Sequence, residues 1–288
     1  MNKILFFICI SMATILYSQN TDDCNSSNNS NRVVVAGGSI SEIMYFLNLQ
    51  NKIVGTDVTS VYPSDLQKLP SIGYVRNLST EGILSLNPTL VIGEDDMGPP
   101  HVIKQLKAAK IDLEIVPEEP TSEGILKKIQ CVGKILGINE VNNLSIFRDK
   151  VREVKNLNKL KQNNLKEKIK IMLVLSMKGT SPVIAGQGTS GDAFIKMIGG
   201  KNIFSSVDGW KAVTLESIIK EDPHFIIIPN REMHANSNTE ELTNNPFFIN
   251  TTAGKNGNFI FSDGMAILGF GPRTISSALE IATEINKK

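Results

Sequence analysis

The chain has 288 residues, of which 41% are hydrophobic and 20% charged, as in an ordinary globular protein. Because single domains commonly span ~100–200 residues, this length favours two domains or lobes. The 30 basic and 29 acidic side chains leave a formal charge of +1, which gives no electrostatic reason to expect a nucleic-acid-binding protein. Three widely spaced cysteines and three histidines do not form a disulfide framework or a zinc-ligand pattern.

The N-terminus has the pattern of a secretory signal peptide. Lys3 precedes an apolar run over residues 4–16, and Ser18 is a small residue at which cleavage can occur. The apolar run is shorter than the ~18–20 residues that a membrane-spanning helix needs. We expect residues 1–18 to be removed and residues 19–31, which are mostly polar, to form a flexible leader. An uncleaved membrane anchor is the alternative.

Two cysteines, Cys24 and Cys131, lie beyond the expected cleavage point. Cys24 follows Asp22-Asp23 rather than a small apolar run, so we do not expect it to carry a lipid. The sequence leaves open whether the two cysteines pair.

Short strand-like runs then alternate with helical patterns. The buried run over residues 32–36 leads to a helix predicted over residues 40–49, with Ser39 as its N-cap and Glu42 completing a capping box. Further strands are predicted at residues 52–55, 89–93, 113–117, 170–175, 224–228 and 258–261. Strands separated by helices predict an α/β protein with mainly parallel sheets.

One sequence pattern occurs twice, at a constant offset of 135 residues. Residues 79–84 and 214–219 each combine a Ser or Thr helix cap with a glutamate, Glu81 or Glu216, and each pattern continues to a buried strand. A weaker correspondence at an offset of 150 residues relates the regions of Ser39 and Thr189. The repeats predict two related, Rossmann-like lobes.

An amphipathic segment separates the two repeats. Over residues 139–169, apolar side chains recur mostly every three or four positions among lysines and glutamates, which predicts one long helix of ~25 residues and ~38 Å. We expect it to connect an N-terminal lobe, residues 32–138, with a C-terminal lobe, residues 170–288. A ligand cleft between the lobes follows, because parallel sheets bind ligands at the carboxyl ends of their strands.

Four segments carry a family resemblance: residues 33–43, 55–63, 69–86 and 268–274. They resemble the haem-binding branch of the substrate-binding proteins of ABC importers for metal chelates, cobalamin and haem. The resemblance extends from about Arg32 to the C-terminus. It implies a monomeric periplasmic protein that captures ferric haem b and delivers it to an importer permease, and it is compatible with an outer-membrane haem receptor upstream.

The motif Tyr74-Val-Arg76 contains the groups that ferric haem requires. A tyrosine phenolate is an established ligand of haem iron. Free tyrosine has a pKa near ~10, so ligation at neutral pH needs a nearby cation or hydrogen-bond donor. The resemblance implies that Tyr74 is the axial iron ligand and that Arg76 supports it or a haem propionate. A loop tyrosine that packs on a neighbour is the alternative.

The cleft residues of the C-terminal lobe are less specific in the sequence. Arg273 is the best second cation, for a propionate or for Tyr74, with a surface arginine at a helix start as the alternative. Some family members place a histidine on the iron from the second lobe, but the matching stretch here carries Gln187, which we expect to form hydrogen bonds at most. Met233 or His234 could substitute as iron ligands, against the alternative of a mobile polar loop.

Glu81 and Glu216 occupy matching positions in the two repeats, near helix starts. In the wider importer family, acidic residues at this motif meet basic pockets on the permease, so the resemblance implies a docking role. A favourable interaction with the helix dipole would also explain either glutamate.

Two other functions compete with haem transport. A ferric siderophore or a corrinoid would suit the same class of binding protein, although siderophore sites typically use several arginines and aromatic groups without a ligand to iron. An exported α/β enzyme is the other possibility. The sequence contains no Gly-x-Ser-x-Gly elbow, P-loop or Gly-x-Gly-x-x-Gly after a strand, so we expect no catalytic activity and no catalytic cofactor.

Overall fold

A computed structural model of the chain describes residues 24–178, 181–230 and 243–288. The expected signal peptide, residues 1–18, lies outside the described residues. The strands are β1 (Val33–Ala36), β2 (Ile53–Thr56), β3 (Gly73–Tyr74), β4 (Asn77–Leu78), β5 (Leu90–Glu94), β6 (Asp112–Val116), β7 (Lys170–Lys178), β8 (Ser181–Ala185), β9 (Lys201–Asn202), β10 (Trp210–Ala212), β11 (Phe225–Asn230) and β12 (Phe259–Asp263). The helices are α1 (Gly38–Phe46), α2 (Thr80–Ser85), α3 (Pro100–Ala108), α4 (Ser122–Ile135), α5 (Ser145–Glu167), α6 (Ser190–Met197), α7 (Leu215–Glu221), α8 (Pro246–Ile249), α9 (Thr252–Asn256), α10 (Gly264–Leu268) and α11 (Pro272–Ile285).

The N-terminal lobe contains a parallel sheet in the order β2-β1-β5-β6. All residues of β1 are buried, and most of β5 is buried as well. A parallel sheet covered by helices on both faces has this continuous apolar pattern rather than an alternating one. The carboxyl ends of its strands therefore all reach one edge, where the loops after β2, β5 and β6 lie.

The C-terminal lobe contains a mixed sheet in the order β10-β8-β7-β11-β12, with β9 beside β7. The strands β7, β11 and β12 are parallel, whereas β8 runs antiparallel to both β7 and β10. The predicted α/β class with two lobes is confirmed. The hairpin of β7 and β8 was not predicted and makes this sheet less parallel than we expected.

The main repeat corresponds to equivalent helices in the two lobes. Ser79 caps α2 by accepting a hydrogen bond from the Gly82 amide, and Thr214 caps α7 by accepting one from the Ser217 amide. Each helix leads to a strand of its lobe's central sheet, β5 or β11. The offset of 135 residues thus reflects a common helix–strand unit in both sheets.

The predicted capping box at the start of α1 is wrong. The helix begins at Gly38 with Gly37 as its N-cap and without a side-chain capping bond. The Ser39 hydroxyl instead donates a hydrogen bond to Glu94 at 2.5 Å, and Glu42 is paired with Arg273. Both side chains are used in contacts between elements, so neither is available to cap the helix. In the weaker repeat, Ser39 corresponds to Thr189, which does cap its helix, α6. The two corresponding residues therefore differ in capping.

The long helix α5 connects the lobes and belongs to a hydrophobic core that both lobes share. It begins at Ser145, after a short 3₁₀ turn at Val141–Asn143, and ends at Glu167. The core includes Val33 and Ile92 from the N-terminal sheet, Phe147, Val154 and Leu157 from α5, and Ile171 and Phe194 from the C-terminal lobe. Helix α11 packs along α5. The lobes are therefore joined by packed apolar side chains as well as by the chain itself.

The second half of the expected leader differs from the flexible segment that its composition predicts. Cys24 is buried and forms a disulfide bond with Cys131 of α4. The Ser27 amide donates a hydrogen bond to the carbonyl of Ile135, and the Asn28 amide donates one to Asp112. These contacts fix the segment on the N-terminal lobe.

Within the described part of the chain, no helix has the length and apolar character needed to cross a membrane.

We predict that Cys24→Ser/Cys131→Ser lowers the free energy of unfolding by about 2–4 kcal/mol, because the disulfide closes a loop between residues 107 positions apart. Urea unfolding of the oxidised wild type and the double variant measures the difference. A reductant should destabilise the wild type to a similar extent and leave the double variant unchanged. Equal stability of the two proteins under oxidising conditions would contradict the disulfide.

Candidate functional site

Tyr74 and Arg76 lie on a short hairpin at the cleft edge of the N-terminal lobe. Strands β3 and β4 pair Tyr74 with Asn77, and Gly73 has a φ of 98°, which suits glycine. Arg76 donates a hydrogen bond from its Nη1 atom to the Tyr74 hydroxyl at 2.8 Å. Tyr74 as a residue remains 41% exposed. The predicted pair is therefore in contact on an exposed residue.

Two loops hold this hairpin in position. The Val58 amide, after β2, donates to the Gly73 carbonyl at 2.9 Å. The Gly98 amide, after β5, donates to the Val75 carbonyl at 2.9 Å, and the Gly98 carbonyl accepts from Leu78 at 2.8 Å. Val75 is buried between its two exposed neighbours and anchors the hairpin in the apolar core. Tyr74 thus has a fixed backbone although its side chain is exposed.

Asp96 is a candidate site residue that the sequence did not identify. Its Oδ2 atom lies 2.5 Å from Nη2 of Arg76, so the guanidinium bridges Tyr74 and Asp96. Partial burial opposes the charged form, but the negative charge of Asp96 and the contact with Tyr74 raise the pKa of Arg76 above its ordinary value. Arg76 therefore remains a cation beside the phenol.

The loop after β2 is organised by the buried carboxylate of Asp57. It accepts hydrogen bonds from the Gly37 amide at 2.9 Å, from the Thr59 amide at 2.9 Å and from the Ser60 hydroxyl at 3.0 Å. A carboxylate with several donors can remain buried, because these hydrogen bonds compensate for the loss of water. Asp57 fixes the loop that leads to Val58 and Tyr62.

Glu94 and Lys128 belong to a second cluster of polar side chains, which lies under the cleft. The Lys128 side chain is buried, and its Nζ atom lies 3.7 Å from Glu94 and 2.5 Å from Glu118. Burial raises the pKa of the Glu94 carboxyl, against the attraction of Lys128 and the hydrogen bond from Ser39. Gly37 allows this carboxyl to approach the start of α1, since a Cβ atom there would lie 2.5 Å from the Glu94 side chain.

Arg273 connects the two lobes through contacts with Glu42, Asp263 and Tyr62. Its Nη2 atom donates a hydrogen bond to Glu42 of α1 at 2.6 Å, and its Nη1 atom lies 3.2 Å from Asp263 at the end of β12. The guanidinium carbon is 3.7 Å from the ring centroid of Tyr62. Its terminal nitrogens and its flat face contact these residues, whereas its buried Nε atom has no hydrogen-bond partner among the described residues. A role of Arg273 beside Tyr74 or a propionate stays a prediction.

A cavity of about 820 Å³ lies between the lobes beside α5. Residues 118–123 line it from the N-terminal lobe, residues 187–190 from the C-terminal lobe, and Lys161 from α5. Gln187 is therefore an interlobe residue. Met233 and His234 lie outside the described residues, and their suggested role as iron ligands remains a prediction.

Glu81 and Glu216 are exposed in the first turns of the equivalent helices α2 and α7. A hydrogen bond from its own backbone amide and one from the Thr214 side chain lower the pKa of Glu216 below its ordinary value. The two carboxylates are accessible on corresponding elements of the two lobes, one on each.

The fold and the site define a two-lobed binding protein with a cleft at the carboxyl ends of its strands. Residues 33–265 match the family described as periplasmic binding protein. The chain belongs to the periplasmic binding protein family, which confirms the resemblance found in the sequence.

Solved and curated relatives support this assignment. The chain is similar to the periplasmic haem-binding protein HutB of Vibrio cholerae, with 29% identity, coverage of 89% of this chain and 99% of that chain, and a TM-score of 0.77. The chain is also similar to the periplasmic haem-binding protein RhuT from Roseiflexus sp. RS-1, with 28% identity, coverage of 90% of this chain and 99% of that chain, and a TM-score of 0.76. The vitamin B12-binding protein of Vibrio campbellii is 25% identical over 207 residues, or 70% of this chain and 72% of that relative. The chain spans 62% of the length of another curated relative.

The interlobe pair leads to a prediction about pH. Burial raises the pKa of the Glu42 carboxyl above its ordinary value of 4.5, while Arg273 opposes that rise. Arg273→Ala leaves a buried carboxylate without its cation, so we expect a loss of about 3–5 kcal/mol of unfolding free energy at pH 7. The loss should shrink as the pH falls toward 4.5, because protonation of Glu42 then removes the buried charge.

Urea unfolding of the wild type and Arg273→Ala at pH 7 and about 4.5 tests this prediction. Arg152→Ala is the control, since Arg152 pairs with Asp149 on the exposed side of α5 and should change stability by about 0–1 kcal/mol. A loss in Arg273→Ala that is the same at both pH values would show that Glu42 does not carry the effect.

Proposed function

We propose that this protein captures ferric haem b in the periplasm and delivers it to the permease of an ABC importer. The observation that carries the proposal is the contact between the exposed Tyr74 hydroxyl and Arg76, at 2.8 Å on the cleft edge. The similarity to solved haem-binding proteins supports the choice of haem among possible ligands.

In this proposal Tyr74 is the axial ligand of the iron. Its phenol oxygen is accessible, and Arg76 offers it a hydrogen bond and a positive charge that favour the anionic form of a ligating tyrosine. Asp96 holds the guanidinium in place by its second contact. The protein would thus present a pre-oriented phenol oxygen, a group that ligates haem iron as the phenolate.

The remaining part of the haem would occupy the space between the lobes. The interlobe cavity of about 820 Å³ is within the size range of ligand sites and is lined by Gln187. Its lining includes neither Tyr74 nor Arg76, so in this proposal the haem site extends from their hairpin toward this cavity. Arg273 is less suited to bind a propionate than we expected, because Glu42 and Asp263 already balance its charge. Met233 and His234 remain candidates for a second axial ligand.

We further propose that a signal peptide directs export, that the mature protein is an unlipidated monomer, and that it has no catalytic activity. The disulfide of Cys24 supports the absence of a lipid at this residue, since its sulfur is already bonded. Disulfides also persist in oxidising compartments such as the periplasm.

A corrinoid is the second candidate ligand, because a curated relative is a vitamin B12-binding protein. The exposed tyrosine with its arginine favours ferric haem, since a phenolate offers iron an anionic ligand. Absorption titrations with hemin and with cobalamin distinguish the two ligands. Binding of cobalamin alone would replace the haem proposal.

We predict that Tyr74→Phe and Arg76→Ala change the spectrum of the hemin complex, and its dependence on pH, in different ways. Tyr74→Phe removes the anionic ligand and should lose the ferric tyrosinate spectrum at every pH. Arg76→Ala keeps the ligand but loses its supporting donor, so hemin affinity should fall about 10- to 100-fold at pH 7. Ligation should return in more alkaline solution, where the phenolate forms without the arginine.

Absorption titration with ferric hemin from pH 6 to 11 measures both variants. Tyr45→Phe is the matched control, because Tyr45 lies on α1 and packs against the core. An unaltered spectrum and affinity in Tyr74→Phe would overturn the assignment of the ligand and direct attention to Met233 and His234.

We predict that charge reversal at both Glu81 and Glu216 abolishes haem uptake through the cognate importer and leaves hemin titration unchanged. The expected cause is repulsion between the new lysines and basic pockets of the permease. Charge reversal at Glu167 and Glu280, which are exposed on α5 and α11, is the control and should preserve uptake. If the Glu81/Glu216 variant loses hemin binding itself, these residues act in the cleft rather than in docking.

A further inference from the structure

Large apolar side chains remain exposed where the loop after β2 meets strand β3. Val58, Tyr62 and Tyr74 are 46%, 46% and 41% exposed. The hydrogen bond from the Val58 amide to the Gly73 carbonyl joins this loop to the strand. Exposed apolar groups that are clustered, rather than scattered, mark a binding surface.

Tyr62 has an unusual environment within this cluster. The guanidinium of Arg273 stacks on its ring, with 3.7 Å between the guanidinium carbon and the ring centroid. Its hydroxyl makes no hydrogen bond with any residue that the structure describes, and nearly half of the residue is exposed. One face of the ring therefore contacts the C-terminal lobe, and the rest of the aromatic surface is available.

The arginine that covers this ring is itself held in place. Glu42 of the N-terminal lobe and Asp263 of the C-terminal lobe bind its two terminal nitrogens. Since α1 and α11 also pack together, the arginine has little freedom to leave the ring. The Tyr62 ring is thus oriented before any ligand arrives, and such preorganisation reduces the entropy lost on binding.

We propose that Tyr62 is a second haem-contacting residue, whose ring packs against the porphyrin while Tyr74 binds the iron, and that Arg273 is its positioning residue. The inference rests on the proposed function. A flat aromatic ring that is fixed on one side suits a flat conjugated macrocycle, because two such surfaces can stack over a large area. A puckered corrin or a non-aromatic siderophore offers less surface for this contact, so Tyr62 also contributes to specificity.

The test compares hemin with iron-free protoporphyrin IX. A contact with the macrocycle contributes to the binding of both ligands, whereas iron ligation contributes to the binding of hemin. Tyr62→Ala should therefore lower the affinity for both ligands by about tenfold, the size expected for an aromatic stacking contact. Tyr62→Phe keeps the ring and should retain wild-type affinity. Tyr74→Phe should weaken hemin binding far more than protoporphyrin binding.

Two measurements separate ligand contact from a purely structural role. The ferric tyrosinate spectrum of the hemin complex should persist in Tyr62→Ala, and its thermal unfolding should show a folded protein at the titration temperature. Unchanged affinity of Tyr62→Ala for both ligands overturns the inference while leaving the proposed function intact. An equal loss in Tyr62→Phe and Tyr62→Ala overturns the role of the ring. If the wild type binds neither ligand, the proposed function fails, and this inference fails with it.

Discussion

The hydrophobic core shared by the two lobes is the constraint on which the rest of the structure depends. Phe147, Val154 and Leu157 of α5 pack into the same core as the strands of both sheets, so the helix is a structural part of each lobe. Asn164 of α5 donates a hydrogen bond to the carbonyl of Ile198 in the C-terminal lobe at 2.8 Å. Large closure around a ligand would break this packing. We therefore expect the cleft to be largely formed before binding, with its polar groups fixed by local contacts.

The buried charged side chains at the cleft hold the surrounding elements in position. A charged group without water costs several kcal/mol unless it is paired, and a buried ion pair adds little net stability. The pairs Glu42–Arg273 and Glu94–Lys128 are nevertheless retained where the two lobes and the cleft loops meet. Each buried carboxyl has a raised pKa because burial outweighs its partner's attraction. The main effect of these ion pairs is to position the elements that they connect, rather than to stabilise the fold.

The sequence predicts the fold where local pattern and tertiary structure agree. The strands of the N-terminal sheet and the repeat that links α2 to α7 follow from apolar runs and Ser or Thr caps. The start of α1 could not be predicted, because Ser39 and Glu42 bond to side chains distant in sequence rather than to their own helix. The hairpin of β7 and β8 was also missed, since a strand order depends on packing that no single window contains. Local pattern therefore predicts elements better than it predicts their partners.

In the candidate site, too, residues close in sequence could be predicted and contacts between distant elements could not. Tyr74 and Arg76 are two residues apart, so their contact could be expected from the sequence together with the family resemblance. Asp96 and Tyr62 could not, because each acquires its role from an arginine on another element. Tyr62 in particular looks like an ordinary loop residue until Arg273 of the other lobe is placed on its ring. A residue gains such a role through its environment, so a sequence motif identifies the group that reacts with a ligand more readily than the groups that position it.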